Sequence, residues 1–216
     1  MVSKIFIIII LIVIAFLLWP KSEFRWRKPL TQNYELIQKE CKKVMDKILD
    51  YNGNHYRIVN NQTTKLSNNN RPKYWDDINL KDIENKWIRG PESIKDEWKN
   101  YGLWINGKPI IENCKKCPIT YMSIKKAIQY GIKIKVAGFS WLKPNSKIPP
   151  HTDPNDEEVH HFGIIVPNTN DCFIICDNKK YIHKSGEWIT FDDRKLHSAI
   201  NNSKQDRIIL YMLIEK

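Results

Sequence analysis

The second half of this 216-residue chain predicts a mainly β protein, an all-β barrel or jelly roll with helices ahead of it. Three observations predict this class. Six short strand-like runs, separated by Pro, Asn, Asp or Gly clusters, crowd into about 85 residues after position 131. Helical spacing of apolar residues is confined to the part of the chain before that point. A 42 % hydrophobic composition with eight Trp, nine Tyr and seven Phe supplies a core, and lacks the bias of collagens, disordered tails or repeat arrays.

In chain order, the first element is a block of consecutive apolar residues, IFIIIILIVIAFLLW at 5–19, between Lys4 and Pro20-Lys21. As a helix it spans roughly 22 Å against a hydrocarbon core of ~30 Å, and Val2 and a snorkelling Lys4 extend its reach. Ala15 is followed by Phe16, Leu17, Leu18, Trp19 and Pro20, a poor cleavage site. An uncleaved signal anchor over 1–20 is therefore expected, in preference to a cleaved signal peptide or a core helix. The chain then reads as a single-pass membrane protein held through residues 5–19. Lys21, Arg25, Arg27 and Lys28 favour a cytosolic carboxyl side. The sequons Asn61-Gln62-Thr63 and Asn201-Asn202-Ser203 would permit glycosylation in a lumen.

Residues 21–115 read as a helical and irregular, Trp-rich support region. Leu36, Ile37, Cys41, Val44, Ile48 and Leu49 predict an amphipathic helix over 34–49, and the Asn-rich stretch 60–71 predicts an exposed loop. Trp75, Trp87, Trp98 and Trp104 fall in a stretch, 75–105, expected to form short helical or irregular segments for core and lid packing. Cys114-x-x-Cys117 has no second pair at zinc spacing and reads as structural. The net charge of +11 reflects heavy use of Lys throughout, together with membrane proximity. No basic stripe interleaved with aromatics appears, so no nucleic-acid partner is expected.

The third region, 116–216, opens with Pro118 at a helix start and Gly131 at its stop. The strand-like runs IKIKVAGFSWL, VHHFGIIV, CFIIC, KYIH, EWITF and RIILYMLI follow. Between two of them lies IPPHTDP. His151 and Asp153 are two residues apart, so at a strand end they share a face and can hold one metal ion. His197 is the best third ligand. Two His and a carboxylate form the facial triad of non-haem Fe(II) oxygenases, which leaves positions open for co-substrate and oxygen. An H-x-D pair alone is weak, and the distant His197 strengthens it. Arg207, ten residues further on, adds a cation suited to a dicarboxylate. His55 and His183 receive no role, Asp192 and Asp193 read as turn caps, and 156–158 reads as a solvated acidic loop beside the site.

The segments GFSWLKPNSKIPPHTDP, HFGIIVP, GEWITFDDRKLHSA and DRIILYMLI, in this order, resemble the Fe(II)/2-oxoglutarate-dependent oxygenases of the aspartyl/asparaginyl β-hydroxylase type. The resemblance implies a double-stranded β-helix (cupin-like jelly roll) and the cofactors Fe(II), 2-oxoglutarate and O2. It implies His151 and His197 as iron ligands, Arg207 on the distal carboxylate of 2-oxoglutarate, and Ser140 and His161 as further co-substrate contacts. The chain departs from the vertebrate hydroxylase in two places. Asp153 stands where that enzyme has glycine, giving a full triad, and Val159 or His160 stands where it has an arginine. The implied reaction is hydroxylation of aspartyl or asparaginyl side chains at the β-carbon in a peptide or protein. The alternatives are a lipid acyl-chain hydroxylase of the same chemistry and a non-catalytic jelly-roll binding module. Family analogy with the vertebrate enzyme favours the ER lumen, against the positive-inside reading.

Overall fold

The computed structural model describes residues 24–45, 57–59, 62–64, 80–90, 97–153 and 157–215. The leader 5–19, Trp75, His55 and Asn61 lie outside them. No helix among the described residues is long and apolar enough to cross a membrane.

A 3-10 turn, Arg25–Arg27, leads into helices α1 (Lys28–Gln32) and α2 (Tyr34–Met45). Ile37, Cys41 and Val44 are buried at helical spacing, whereas Leu36, expected on the apolar face, is exposed. A small hairpin pairs β1 (Arg57–Val59) with β2 (Gln62–Thr64), and β2 falls inside the stretch expected as loop. After a second 3-10 turn come β3 (Ile88–Arg89), β4 (Trp98–Ile105) and β5 (Lys108–Pro109). Helices α3 (Ile111–Lys116) and α4 (Pro118–Ile128) follow, with Pro118 at the start of α4 and Gly131 at φ +89 closing the turn after it.

Eight strands then build the jelly roll: β6 (Lys133–Leu142), β7 (Ser146–His151), β8 (Glu158–Ile165), β9 (Cys172–Cys176), β10 (Lys179–Ile182), β11 (Trp188–Phe191), β12 (His197–Asn201) and β13 (Arg207–Glu215). Joined by β3, β4 and β5, they form a large sheet ordered β11-β8-β13-β6-β4-β3, with β5 paired to β4, and a small one ordered β10-β9-β12-β7. The mainly β architecture with helices ahead of it is thus the one the sequence predicts. Trp98–Ile105 corrects the expectation of short helical or irregular segments over 75–105, because this segment pairs along β6 inside the large sheet. Two site-bearing strands, β7 and β12, were not among the runs recognised in the sequence.

The large sheet is buried on both faces. Ile208, Leu210 and Met212 of β13, Phe139 and Trp141 of β6, and Phe162 and Ile164 of β8 meet the helices. Alternate residues, including Leu213, Val136, Leu142, Val159 and Phe191, meet Ile174, Cys176, Ala199 and Ile148 of the small sheet. β13 lies between β6 and β8 and is pinned on both sides.

The helix layer is locked by a carboxylate. Glu40 on α2 is buried, and it accepts hydrogen bonds from Ile119 N (2.7 Å), Thr120 N (2.9 Å) and Thr120 Oγ1 (2.7 Å) at the start of α4. It satisfies orphan donors at that helix end and places negative charge against the positive end of the helix dipole. Glu40→Ala strands these donors and is expected to lower stability by about 2–3 kcal/mol, read as a drop in the urea midpoint. Glu40→Gln retains an acceptor and should lose less.

Candidate metal centre and anion pocket

β7 and β12 are adjacent antiparallel strands, and His197 is the register partner of both His151 and Cys176. Cross-strand partners share a face, so both imidazoles stand at one end of the barrel, with ring centroids 4.2 Å apart. Asp153 is brought in by its backbone, because Asp153 N donates to Asp193 O (2.9 Å) in the turn between β11 and β12. Its Oδ2 lies 3.7 Å from His151 Nε2 and 3.9 Å from His197 Nε2. One nitrogen or oxygen atom from each of the three residues lies within 4.8 Å of the other two.

The second nitrogen of each histidine is already engaged. His151 Nδ1 lies 2.6 Å from Pro149 O, and His197 Nδ1 lies 2.9 Å from Lys195 O. A carbonyl only accepts, so each Nδ1 donates to it, and Nε2 is the nitrogen that each ring turns towards Asp153 Oδ2. Two imidazole nitrogens and a carboxylate oxygen form a donor set suited to a divalent transition metal.

Deeper in the same interior lies Arg207, 1 % exposed, at the start of β13. Among the described residues no carboxylate pairs with it, and its Nε has no hydrogen-bond partner. Burial pulls its pKa down to about 10, so it stays charged at neutral pH. Ser140 of β6, on the inward-facing parity, accepts a hydrogen bond from Trp98 Nε1 (2.9 Å), which leaves its own hydroxyl proton to donate. His161 of β8 faces inward as well, its ring centroid 5.1 Å from that of Phe191, which in turn lies 5.5 Å from His197. The structure therefore gathers His151, Asp153 and His197 at the mouth, and places Arg207, Ser140 and His161 on inward-facing positions of the same barrel.

His160 faces the other way. It packs against Phe24 and Trp26, and its Nδ1 accepts from Arg27 Nη2 (2.8 Å), whose guanidinium also bonds Thr190 and lies over the Phe24 ring. Burial, then the Arg27 charge, push its pKa down to about 3, and Glu158 faces its Nε2 at 3.0 Å. Of the two positions where the vertebrate enzyme's arginine was expected, Val159 therefore faces the barrel interior.

Three residues escaped the sequence reading. Trp98 orients Ser140. His183 is buried beside His161, 3.1 Å between nitrogens; it follows Ile182, on the parity of inward-facing Tyr181, and that alternation was the available signal. Glu157 is not solvated but buried against Lys135 Nζ at 2.6 Å. Asp192 does cap its turn, accepting from Arg194 N. Cys114 and Cys117 are buried free thiols; burial pushes Cys114 up to about 12 and Cys117 higher still.

A family model described as aspartyl/asparaginyl beta-hydroxylase matches residues 31–216. The chain belongs to this family. Among its relatives in the wider hydroxylase group, the ornithine lipid ester-linked acyl 2-hydroxylase of Rhizobium tropici is 30 % identical over 56 % of this chain and 42 % of that protein. The aspartyl/asparaginyl beta-hydroxylase of Mus musculus is 26 % identical over 53 % of this chain and 16 % of that protein. The chain thus matches less than half the length of each of these curated relatives. Among solved structures, the polyketide cyclase RemF from Streptomyces resistomycificus is similar at a TM-score of 0.39 and 13 % identity, over 64 % of this chain and 78 % of that one.

The buried histidines give this hydroxylase fold a signed pH dependence. His160, His161 and His183 are held neutral, burial being the first cause for each. The unfolded chain takes up protons below about pH 6.5 and the fold does not, so their contribution is complete above that pH. It is lost as pH falls towards about 3 for His160, at up to about 1.4 kcal/mol per pH unit per histidine. Urea midpoints measured between pH 7.5 and 5 should fall, with a shallower slope for His160→Gln.

Proposed function

We propose that this hydroxylase-family chain is a membrane-anchored Fe(II)/2-oxoglutarate-dependent dioxygenase that hydroxylates aspartyl or asparaginyl side chains at the β-carbon. One observation carries the reading: a convergent two-His, one-carboxylate donor set opens onto the barrel interior that holds a buried, acid-free Arg207. In this reading His151, Asp153 and His197 hold the iron. Bound Fe(II), with O2, supplies oxidative decarboxylation of 2-oxoglutarate to succinate and CO2, coupled to oxygen insertion into a substrate C–H bond.

The protein's own residues do the rest. Arg207 offers a planar fork to the distal carboxylate of 2-oxoglutarate, and the burial that makes the empty pocket costly strengthens the charge-assisted bonds to an anion. Ser140, its oxygen engaged by Trp98, donates its proton to the same group, and His161 donates from its other side. Phe191, Ile174 and Ala199 form an apolar wall between the sheets that excludes water from the reacting end.

A second substrate, a lipid acyl chain, is favoured by the tether. Only five Cα steps separate Trp19, the last residue of the apolar leader, from Phe24, which packs on the outside of the large sheet at His160. Fully extended, that is at most ~18 Å. A leader embedded in the bilayer keeps the mouth, on the other face of the same sheet, near the lipid surface. The cytosolic side fits the positive flank of the leader. It also fits Asn201, which is fully buried and donates from its amide to Leu142 O, Lys143 O and Gln205 O, leaving no room for a glycan.

The full chain in detergent with Fe(II) should convert 2-oxoglutarate to succinate, accelerated by an Asp- or Asn-containing peptide, or by lipid, that gains one oxygen atom by mass spectrometry. His151→Ala and His197→Ala should abolish turnover and metal binding, and Arg207→Leu should raise the KM for 2-oxoglutarate about 10- to 100-fold. Absence of succinate from the iron-loaded wild type would sink the enzymatic reading and leave the binding module. In sealed vesicles with the cytosolic face outward, external protease should remove the domain; protection would place it in the lumen.

A further inference from the structure

His161 and His183 form a buried pair whose geometry is specific. Their rings lie within 15° of a common plane, the centroids are 5.4 Å apart, and His161 Nδ1 and His183 Nε2 are 3.1 Å apart. Two imidazoles lying edge to edge and joined by an in-plane N–H···N bond give such separations, whereas face-on stacking would bring the centroids closer. Both residues are almost fully buried, and burial keeps both rings neutral. Each ring then carries one N–H, so a single proton sits between the two facing nitrogens, and its position fixes both tautomers.

Two arrangements are available. If His161 Nδ1 held the proton, His183 would carry its own on Nδ1, a buried atom with no hydrogen-bond partner. A buried orphan N–H is among the rarest defects in folded proteins, and this one would also face the field of the Arg207 cation. If instead His183 Nε2 holds the proton, the orphan atom is a lone pair in the field of that cation, and His161 carries its N–H on Nε2.

We propose that His183 is a positioning residue that locks His161 in its Nε2–H form, so that His161 acts as a hydrogen-bond donor to the co-substrate carboxylate held by Arg207. This rests on the co-substrate reading above. The loop carrying His183 is itself held against β8: Gly163 N donates to Glu187 O and Gly186 N to Gly163 O, and a Cβ on Gly163 would meet Lys184 O at 2.0 Å. That close approach seats His183 beside His161.

Nitrogen NMR of the full, histidine-labelled, metal-free chain in detergent reads the tautomer directly. His161 should show a protonated Nε2 and a bare Nδ1. His183→Gln, whose amide nitrogen falls near the position of Nε2, should preserve this pattern, and His183→Leu should lose it. Calorimetry with 2-oxoglutarate on the zinc-loaded, turnover-incompetent protein should show about tenfold weaker binding for His183→Leu and near-wild-type binding for His183→Gln. In turnover, His183→Leu should raise the KM for 2-oxoglutarate while kcat changes little. A protonated His161 Nδ1 in the wild type, or wild-type affinity in a folded His183→Leu, overturns the proposal. Wild-type protein that binds no 2-oxoglutarate overturns the co-substrate reading beneath it, a distinct result from a wrong tautomer. If His183→Leu does not fold, the wild-type spectrum and His183→Gln still decide.

Discussion

A guanidinium buried in an apolar sandwich, with no carboxylate among the described residues paired to it, is the constraint from which the rest of this structure follows. Removing such a charge from water costs several kcal/mol, and only a fold that over-determines its position can hold it there. β13 supplies that rigidity. Paired with β6 on one side and β8 on the other, and backed by the helix layer, it cannot let Arg207 escape to solvent. Asn201 closes the same end of the barrel: its amide bonds three carbonyls, and its oxygen accepts from Ser203 N and Cys172 Sγ. The apolar side chains between the two sheets are mainly Ile, Val, Leu and Phe, with Cys176 and Ala199 among them.

The candidate metal end is held by short-range geometry. The turn between β11 and β12 is brief, and it serves three tasks at once. Lys195 O fixes His197 Nδ1, Asp193 O fixes Asp153 N, and Asp192 binds Arg194 through two side-chain bonds that stiffen the turn. A backbone hydrogen bond to Asp193 O thus fixes where Asp153 enters the site. The mouth is thus held in part by backbone carbonyls, which do not titrate.

How much of this was legible in the sequence depended on where each residue's partners lie. Runs buried on alternating or both faces, such as KIKVAGFSWL and RIILYMLI, carry their own signal, and the spacing of His151, Asp153, His197 and Arg207 was readable without coordinates. The strands bearing those ligands were not. SKIPPH contains two prolines, which are tolerated because β7 is the edge of the small sheet, and HSAIN is too short and polar to show a period. Trp98–Ile105 was expected to be helical or irregular, yet it pairs with β6 residues that lie further along the chain, from Leu142 to Val136. Glu157 looked solvated because Lys135, its partner, comes from another strand. Local pattern reports what a residue does to its own backbone, and it is silent on partners that arrive through topology.

The adjacent pair His160-His161 shows how one register serves two purposes. Successive residues of a strand face opposite sides, so His160 is delivered to Arg27 and the aromatic cluster under the helix layer, and His161 to the barrel interior. A one-residue slip of β8 against β13 would exchange them. It would turn His161 away from the barrel interior towards Arg27, and it would drive Phe162 into the space between the sheets. The neighbouring apolar residues are divided by the same parity, Phe162 and Ile164 outward and Val159 inward, so the slip would misplace the core and the site together. The docking of the segment that follows the leader and the orientation of the anion pocket are therefore set by a single strand pairing. A change that weakens one should disturb the other through β8, even though the two sets of side chains never touch across the sheet.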